Sequence, residues 1–461
     1  MAAPTPFFVL GPNTVLSLLG LVRKTDHTVS APAQDWREIK VDVVIPAHNE
    51  EATIILCLES LFRQTLKPRR IVLMDDGSKD RTRVLALRYA AERGFAVESM
   101  RVEASVGKTP GVKRNARELD GDVIFILDGD TLLISPDYIE RAVKELYEGV
   151  GIASACGGVV PLRRRDRRDW AALAPIRDFY ERHPDISIFK QHGRFSWFLH
   201  GITNIYRDFL YFYLRGFIYR GQMAFFGSII NPIGCAVAYR REYIRELFDH
   251  YEPSLGDDLT TSEDIFIGFA LLQRGYRNVL VEGIHVLTEE PFAHRLPRQL
   301  HLWSSSFLQS CYYFPDLLLS PFKVFKRAAL RRREKHSGAA ERRQVKEAYR
   351  QPFGIDYTKK YGRPIGWTIL FGLIEKISFS LILLGLIVFR RWEMLEFTVV
   401  AELGLLLALT VVLSLQQRRL DYIWKMILST PVRYFVAMYD LVVTVSFVVD
   451  VWVLKDFNWR K

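Results

Sequence analysis

The stretch Val41-Asp42-Val43-Val44-Ile45-Pro46-Ala47-His48-Asn49-Glu50-Glu51 carries the strongest indication of the fold. Its apolar, β-branched first half predicts a buried strand over Val41–Pro46, and its polar second half predicts a loop that leads into a helix. Apolar residues at helical spacing follow over Ala52–Thr65, and strand-like runs that end in polar loops recur at Arg70–Met74 and Val123–Leu127. This order predicts an α/β domain with a parallel sheet, whose ligand loops lie at the carboxyl ends of the strands.

Pairs of carboxylates follow the second and third predicted strands, whereas the first strand is not followed by a glycine-rich nucleotide-binding pattern. The first strand lacks the G-x-G-x-x-G pattern, so a dinucleotide coenzyme is not expected. The second strand ends in Asp75 and Asp76, whose oxygens can accept hydrogen bonds from a base or from ribose hydroxyls. The third ends in Asp128-Gly129-Asp130, and two carboxylates on one tight turn are hard oxygen ligands that suit Mg²⁺ or Mn²⁺ bridging a diphosphate.

The basic residues of the chain point to anionic partners. The 461 residues carry a net charge of +11, and Lys108, Lys113, Arg114 and Asn115 precede the third strand. These side chains can reach phosphate oxygens, or they are plain surface groups, and the sequence leaves both interpretations open. No nucleic-acid-binding motif occurs, so nucleic acid is not an expected partner. The four cysteines lie far apart and are expected to be reduced.

Taken together, three runs resemble the nucleotide-binding signatures of the family-2 inverting glycosyltransferases, which have the GT-A fold. They are P-A-H-N-E-E at residues 46–51, D-D-G-S-x-D-x-T at 75–82 and D-G-D-T at 128–131. The resemblance covers roughly residues 41–310 and implies a Rossmann-like mixed sheet and a UDP- or GDP-sugar donor. It implies that Asp75 and Asp76 hold the base, Asp128 the nucleotide or sugar and the metal, and Asp130 the metal. The other residues that it assigns to the donor site are Pro46, Ala47, His48, Asn49, Glu50 and Lys113.

A fourth motif, Thr261-Ser262-Glu263-Asp264-Ile265-Phe266, resembles the helix start that carries the general base in this family. Inverting transfer needs a carboxylate that takes the proton from the acceptor hydroxyl, and the resemblance assigns this role to Asp264. A competitor is Gly256-Asp257-Asp258, which looks like the G-D-D motif of hyaluronan synthases. The continuation of the fourth motif through Gly275-Tyr276-Arg277 favours Asp264.

A fifth element, Arg298-Gln299-Leu300-His301-Leu302-Trp303, resembles the Q-x-x-R-W element of cellulose, chitin and hyaluronan synthases. In those enzymes the tryptophan stacks on the acceptor sugar, and the glutamine and arginine contact the diphosphate. Gln299 and Trp303 match, but Leu302 stands where the family has arginine, with Arg298 or His301 as possible substitutes. Upstream, Asn231-Pro232-Ile233-Gly234-Cys235 resembles the acceptor-side segment of these synthases.

Apolar and basic segments flank the α/β domain. We expect four parts: a membrane-associated segment at residues 1–39 (a surface helix or a short anchor), the GT-A domain at 40–310, a basic interfacial linker at 311–365, and about three membrane-spanning helices at 366–461. The spans are predicted at Trp367–Phe389, Phe397–Leu415 and Tyr434–Leu454. One of the three, the first being the best candidate, could instead lie on the membrane surface. Ionisable residues interrupt them, namely Glu375, Lys376, Glu402, Asp440 and Asp450. The aromatic segment Asn204–Phe226 is predicted to be an amphipathic piece at the membrane surface, with a buried core helix as the alternative.

These features predict a multi-pass enzyme of the plasma (inner) membrane, with its catalytic domain in the cytoplasm, because the basic residues before Trp367 favour that side. The main functional prediction is a metal-dependent glycosyltransferase (a hexosyltransferase) that extends a polysaccharide in contact with membrane lipid, with a homo-oligomer as a candidate assembly. The alternative is a transferase that moves one sugar to a polyprenyl phosphate or another lipid. Residues 298–303 distinguish the two, because the lipid-directed enzymes lack this element.

Overall fold

The computed structural model describes residues 11–22, 35–149, 151–190, 193–255, 262–337 and 354–454. An eight-stranded mixed sheet forms its centre, in the order β3-β2-β1-β4-β7-β6-β8-β5. The strands are β1 Val41–Ala47, β2 Arg70–Asp76, β3 Glu98–Val102, β4 Val123–Leu127, β5 Thr131–Leu133, β6 Ile152–Pro161, β7 Ala236–Arg240 and β8 Arg277–Thr288. The three strands expected from the sequence are confirmed as β1, β2 and β4, and the expected α/β fold with a mixed sheet is confirmed.

Two kinds of pairing divide the sheet. The pairs β1–β2, β2–β3 and β1–β4 are parallel, which brings the carboxyl ends of β1, β2 and β4 to one edge. The pairs β4–β7, β6–β7 and β5–β8 are antiparallel, and β6–β8 is parallel. The ladder between β1 and β4 stops at Val44, two residues before Pro46, which has no N–H to donate. Beyond Val44 the two strands stay joined by a hydrogen bond from the Gly129 N–H to the Pro46 carbonyl oxygen at 2.9 Å, and their carboxyl ends form the candidate site.

Helices cover the sheet and continue into a helical layer. They are α1 Pro12–Val22, α2 Ile54–Phe62, α3 Thr82–Glu92, α4 Lys108–Glu118, α5 Tyr138–Glu148, α6 Arg164–Ala171, α7 Ala174–Arg182, α8 Arg194–Tyr213, α9 Arg220–Phe226, α10 Arg241–Leu255, α11 Glu263–Arg274, α12 Leu296–Tyr313, α13 Pro315–Leu318, α14 Val324–Ser337, α15 Gly354–Tyr361, α16 Gly366–Val388, α17 Trp392–Gln416 and α18 Asp421–Val448. A π-helical turn, Leu214–Tyr219, joins α8 to α9, and another, Val449–Leu454, extends α18.

Among the described residues, three helices are long and apolar enough to cross a membrane: α16, α17 and α18 with its extension to Val451. The first two lie close to the predicted spans. The third begins at Asp421 and not at the predicted Tyr434, so its predicted start is wrong by 13 residues. The hydropathy pattern missed the first turns because they contain Lys425, Pro431 and Arg433. These residues interrupt an apolar run without ending the helix.

Of the five ionisable residues named in the predicted spans, four have polar partners within the protein. Glu375 accepts hydrogen bonds from the backbone N–H of Asn13 at 2.7 Å and from its side-chain amide at 3.1 Å, and so caps α1. Lys376 pairs with Asp440, and Glu402 pairs with Arg433. Charges in apolar helices normally face a neighbouring helix or a cavity. These pairs therefore explain how α16, α17 and α18 tolerate their charges.

The segment Asn204–Phe226 is largely buried, so the predicted amphipathic piece at the membrane surface is wrong and its alternative, a core helix, is right. The second half of α8 packs between β6 and α18. The rings of Phe212 and Tyr422 stack at 3.8 Å, and Asp208 accepts a hydrogen bond from the Tyr422 hydroxyl at 3.0 Å. The charges in this segment suggested exposure, but its partners lie far away in the sequence.

The two other flanking segments are described in part. In the segment expected to associate with membrane, α1 packs closely on α9, where a side chain at Gly20 would collide with Gly221. Residues 1–10 and 23–34 lie outside the described residues. In the basic linker, Arg327 of α14 donates to the carbonyl oxygens of Ser320 and Tyr361 at 2.9 and 2.8 Å, while Phe322 and Phe325 are exposed. Its contact with lipid stays a prediction, as do the domain boundaries, and residues 338–353 are not described. The four cysteines are buried and unbridged, as expected.

The buried pair Glu402–Arg433 makes a testable prediction about stability. Glu402→Gln leaves the buried Arg433 cation without its carboxylate, which typically costs about 3–5 kcal/mol. We expect a clear loss of thermal stability of the detergent-solubilised protein. The double variant Glu402→Leu/Arg433→Met should recover most of it, because no buried charge is left. Glu393→Gln, at an exposed position of α17, is the control and should change little. A double variant no more stable than Glu402→Gln would contradict this account.

Candidate functional site

The loops after β1, β2 and β4 are joined by hydrogen bonds at one edge of the sheet. His48 Nδ1 donates to the Asp76 carbonyl oxygen at 2.6 Å, and the Asn49 backbone N–H donates to Ser78 Oγ at 3.0 Å. Asn49 adopts a left-handed turn (φ 58°), which asparagine tolerates, and its side-chain oxygen accepts from the Lys79 backbone N–H. The Gly129 backbone N–H donates to the Pro46 carbonyl oxygen at 2.9 Å. The three predicted nucleotide-binding runs therefore meet in space.

Asp75 and Asp76 both bond protein groups in this structure. Asp75 is buried, and its carboxylate accepts from the Ser78 backbone N–H at 2.9 Å. Asp76 accepts from the backbone N–H groups of Val106 and Gly107 at 2.8 and 3.0 Å and from Ser105 Oγ at 2.6 Å. It thereby fixes the loop that leads into α4. The expectation that the two residues hold a base stays a prediction.

Lys108, the first residue of α4, joins the third run to the fourth motif. Its ammonium lies 2.7 Å from Asp128 Oδ1, 2.7 Å from Glu263 Oε1 and 2.9 Å from the Gly234 carbonyl oxygen. Burial opposes its charge, but the two carboxylates outweigh burial and raise the pKa of Lys108. Burial raises the pKa of Glu263, and Lys108 counteracts that effect. Lys108 is therefore a charged bridge between β4 and α11.

Lys113, the lysine predicted to belong to the donor site, contacts α10, and its role at the donor stays a prediction. Its ammonium is 3.1 Å from Glu252 of α10. Five residues along a helix correspond to a rotation of about 140°, so Lys108 and Lys113 face different directions. The residue brought to Asp128 is Lys108, which the sequence could name only as one of several basic residues before β4.

Asp130 lies among other carboxylates. Burial raises its pKa well above the ordinary range, and the charges of Glu50, Asp128 and Glu289 add to the effect. The ammonium of Lys190 bridges Glu50 and Glu289 at 3.3 and 3.0 Å. Among the residues that the structure describes, no group of three or more His, Cys, Asp or Glu side chains could hold a metal on its own. Lys190, together with Arg167 at 3.0 Å from Glu289, supplies positive charge beside these carboxylates.

The candidate base Asp264 lies in the first turn of α11, beside the predicted acceptor segment. Its Oδ2 accepts from the Gly234 backbone N–H at 3.2 Å, and its Oδ1 accepts from Ser262 Oγ at 2.6 Å. A Cβ at position 234 would lie 2.7 Å from Asp264 Oδ2, so only glycine leaves room for this carboxylate. Contacts through Gly234 and Lys108 thus connect Asp264 to Asp128. The competing pair Asp257 and Asp258 falls outside the described residues.

Gln299 and Trp303 lie on α12, and a residue that the sequence analysis missed holds them together. Arg207 of α8 donates from Nη2 to Gln299 Oε1 at 2.6 Å, and its guanidinium carbon lies 4.4 Å from the centre of a Trp303 ring. Its Nε lies 3.4 Å from Glu290 Oε2. Arg298 and His301, the substitutes considered for the missing arginine, are exposed. The sequence showed Arg207 only as one of several basic residues in an aromatic segment, since its partners lie 83 to 96 positions away.

Comparison with known proteins identifies the family of the α/β domain. Residues 42–248 match Glycosyl transferase family 2. The chain is 31% identical over 130 residues to undecaprenyl-phosphate 4-deoxy-4-formamido-L-arabinose transferase of Serratia proteamaculans, a match that covers 28% of this chain and 38% of that protein. It is 26% identical over 275 residues to an N-acetylglucosaminyltransferase of Azorhizobium caulinodans, covering 58% of this chain and 59% of that protein. The chain thus spans less than two thirds of the length of these curated relatives.

Solved structures of glycosyltransferases also superimpose on the chain. A mannosyltransferase from Pyrobaculum calidifontis, in complex with GDP-Man and Mn²⁺, does so with a TM-score of 0.41 at 16% identity, over 90% of this chain and 94% of that one. Glucosyl-3-phosphoglycerate synthase from Mycobacterium tuberculosis, in complex with Mn²⁺, UDP and its product, has a TM-score of 0.34 at 17% identity, over 62% and 88% of the two chains.

The Lys108 bridge makes a prediction that needs no substrate. Lys108→Met removes the cation between Asp128 and Glu263, and we expect a loss of about 2 kcal/mol in the free energy of unfolding, less than for a fully buried pair because a fifth of the Lys108 side chain is exposed. Lys144→Met, which removes an exposed pair with Glu148 at 3.9 Å, is the control and should cost less than about 1 kcal/mol. Thermal unfolding in detergent measures both. Equal changes in the two variants would show that the bridge does not stabilise the fold.

Proposed function

We propose that this chain, whose residues 42–248 form a domain of Glycosyl transferase family 2, is a membrane-bound inverting glycosyltransferase that extends a polysaccharide from a UDP- or GDP-sugar donor. One observation carries the proposal: at the edge where the donor loops meet, Lys108 contacts both Asp128 and the Gly234 carbonyl oxygen, and the Gly234 N–H in turn donates to the carboxylate Asp264. A proton acceptor beside a nucleotide-binding edge is the arrangement that inverting transfer requires.

In the proposed reaction Asp264 takes the proton of an acceptor hydroxyl. The hydroxyl oxygen then forms a bond to the anomeric carbon of the donor, from the face opposite the diphosphate. The bond between that carbon and the diphosphate oxygen breaks, and the nucleoside diphosphate leaves with the bonding electrons. Lys108 lies beside Asp128 and offers positive charge on the donor side of the site.

A divalent metal fits the carboxylates of the third run. Asp130, whose pKa is raised by burial and by neighbouring carboxylates, and Asp128 would hold Mg²⁺ or Mn²⁺. When bound, the metal neutralises charge on the departing diphosphate. Because no third side chain of the described residues completes such a site, the donor's own phosphate oxygens would have to supply further ligands.

The acceptor is proposed to be a growing glycan, because Trp303 and Gln299 lie together on α12 and an aromatic face is suited to a sugar ring. A second candidate is transfer of one sugar to a polyprenyl phosphate. It is favoured by the 31% identity to an undecaprenyl-phosphate transferase and by Leu302, which departs from the pattern of the polymerising enzymes.

Placement at the plasma (inner) membrane with a cytoplasmic catalytic domain is part of the proposal. Three apolar helices follow the domain, and the basic run before them favours the cytoplasmic side. Three spans are few for a channel through which a polymer could leave, so a polymerising enzyme would act as a homo-oligomer or with a partner.

A donor screen tests the proposed function. The full chain in nanodiscs is given Mn²⁺ or Mg²⁺ and one radiolabelled UDP- or GDP-sugar at a time, and products are separated by size and by lipid extraction. A high-molecular-weight product that a specific glycanase digests is the expected result, and chelation of the metal should stop its formation. Label found only in the lipid extract would establish the second candidate. No transfer from any donor would overturn both.

The role of Asp264 is tested by Asp264→Asn. We expect transfer to fall by about 100- to 10,000-fold, since the proton acceptor is lost, while nucleotide binding changes by less than about twofold. Binding is followed by titration of the protein with a UDP or GDP analogue. Asp249→Asn, which removes a surface partner of Arg117, is the control and should leave both properties unchanged. Loss of nucleotide binding in the Asp264 variant would make Asp264 a donor or metal ligand and not the base.

A further inference from the structure

We infer that Arg207 is a positioning residue of the acceptor side: its buried guanidinium, carried by α8, holds Gln299 and Trp303 of α12 in their places. The inference rests on the proposed function, and it adds a residue that the family pattern does not contain. It follows from a departure from that pattern, since position 302 offers leucine where the polymerising relatives carry arginine.

The guanidinium of Arg207 makes three different contacts. Nη2 donates to Gln299 Oε1 at 2.6 Å, the guanidinium carbon lies over a Trp303 ring at 4.4 Å from its centre, and Nε lies 3.4 Å from Glu290 Oε2. A planar guanidinium can bond in its plane and stack on its face at the same time, which an ammonium cannot do. The contacts therefore fix the side-chain amide of Gln299 and the ring of Trp303 relative to each other.

Burial makes these contacts strong and costly to lose. Only 1% of Arg207 is exposed, and Glu290, its carboxylate partner, is equally buried. Glu290 also accepts a hydrogen bond from the Tyr211 hydroxyl at 2.8 Å, so its position is fixed from α8 as well. A buried cation persists where carboxylates and hydrogen bonds compensate for its lost hydration. Arg207 therefore has little freedom to move to another partner, and its action on the acceptor is through Gln299 and Trp303.

The helical layer holds α12 from its other side. Ser304, next to Trp303, bonds to Asp440 of α18, which pairs with Lys376 of α16. Trp303 thus lies between a contact with the catalytic domain, through Arg207, and a contact with the apolar helices, through Ser304. Residues at the acceptor end of the site are in this way tied to the part of the protein next to the membrane.

Arg207→Met tests the inference, with the ratio of sugar transferred to nucleoside diphosphate released as the readout. This ratio does not depend on how much of the sample is folded, because both quantities come from the same active molecules. The wild-type ratio should be near unity. In the variant a misplaced Trp303 leaves the acceptor badly held, so donor hydrolysed by water should lower the ratio by about tenfold or more. Arg207→Lys should lie between the two.

Asp208→Asn is the matched control. Asp208 is the next residue of the same helix and is also buried, but its partners are Arg163, Tyr422 and Lys425, not the residues of α12. In Asp208→Asn the ratio of sugar transferred to nucleoside diphosphate released should equal that of the wild type, even if less folded protein is obtained. An unchanged ratio in Arg207→Met, or an equal fall in Asp208→Asn, would overturn the positioning role. A wild-type protein that neither transfers sugar nor releases nucleoside diphosphate would instead show that the proposed function itself has failed.

Discussion

The candidate site depends on one buried cation. The ammonium of Lys108 is held by Asp128 at the end of β4, by Glu263 at the start of α11 and by the Gly234 carbonyl oxygen before β7. These elements come from three distant parts of the chain, and the cation is the group they share. A partly buried charge needs such compensation, so the elements cannot separate without leaving charges unpaired. The carboxylate Asp264 follows Glu263 directly and takes its place from this arrangement.

Glycine residues lie where the backbone and the carboxylates of this site approach each other most closely. The ladder between β1 and β4 ends at Val44, and beyond it the N–H of Gly129 bonds to the Pro46 carbonyl oxygen, where a Cβ at position 129 would lie only 3.0 Å from the Ala47 Cβ. Gly234 lies so close to Asp264 that any side chain there would collide with the carboxylate. The carboxylates can therefore lie near the backbone at glycine positions, and the positive charge of Lys108 offsets the repulsion between Asp128 and Glu263.

Pairing also allows charged side chains to be buried in the helical layer. Its charges are paired between helices, as in Lys376 with Asp440 and Arg433 with Glu402. Asp440 also reaches Ser304 of α12, so the pairs connect the apolar helices to the residues next to Trp303. The catalytic domain and the apolar helices consequently share buried polar contacts, and not only an apolar surface.

The sequence was enough to predict the strands β1, β2 and β4, the meeting of their loops at one edge, the resemblance of the domain to family-2 glycosyltransferases, and the three long apolar helices of the described residues. These features are local: period, β-branched residues and the order of short motifs report them directly. Other features follow from the tertiary structure: Lys108 lies beside Asp128, Asn204–Phe226 is buried, the third apolar helix begins at Asp421, and Arg207 joins Gln299 to Trp303. Except for the helix start, these features depend on contacts between residues that are distant in the chain. A single sequence shows that a charge is present, but the partner that allows its burial is chosen by the fold.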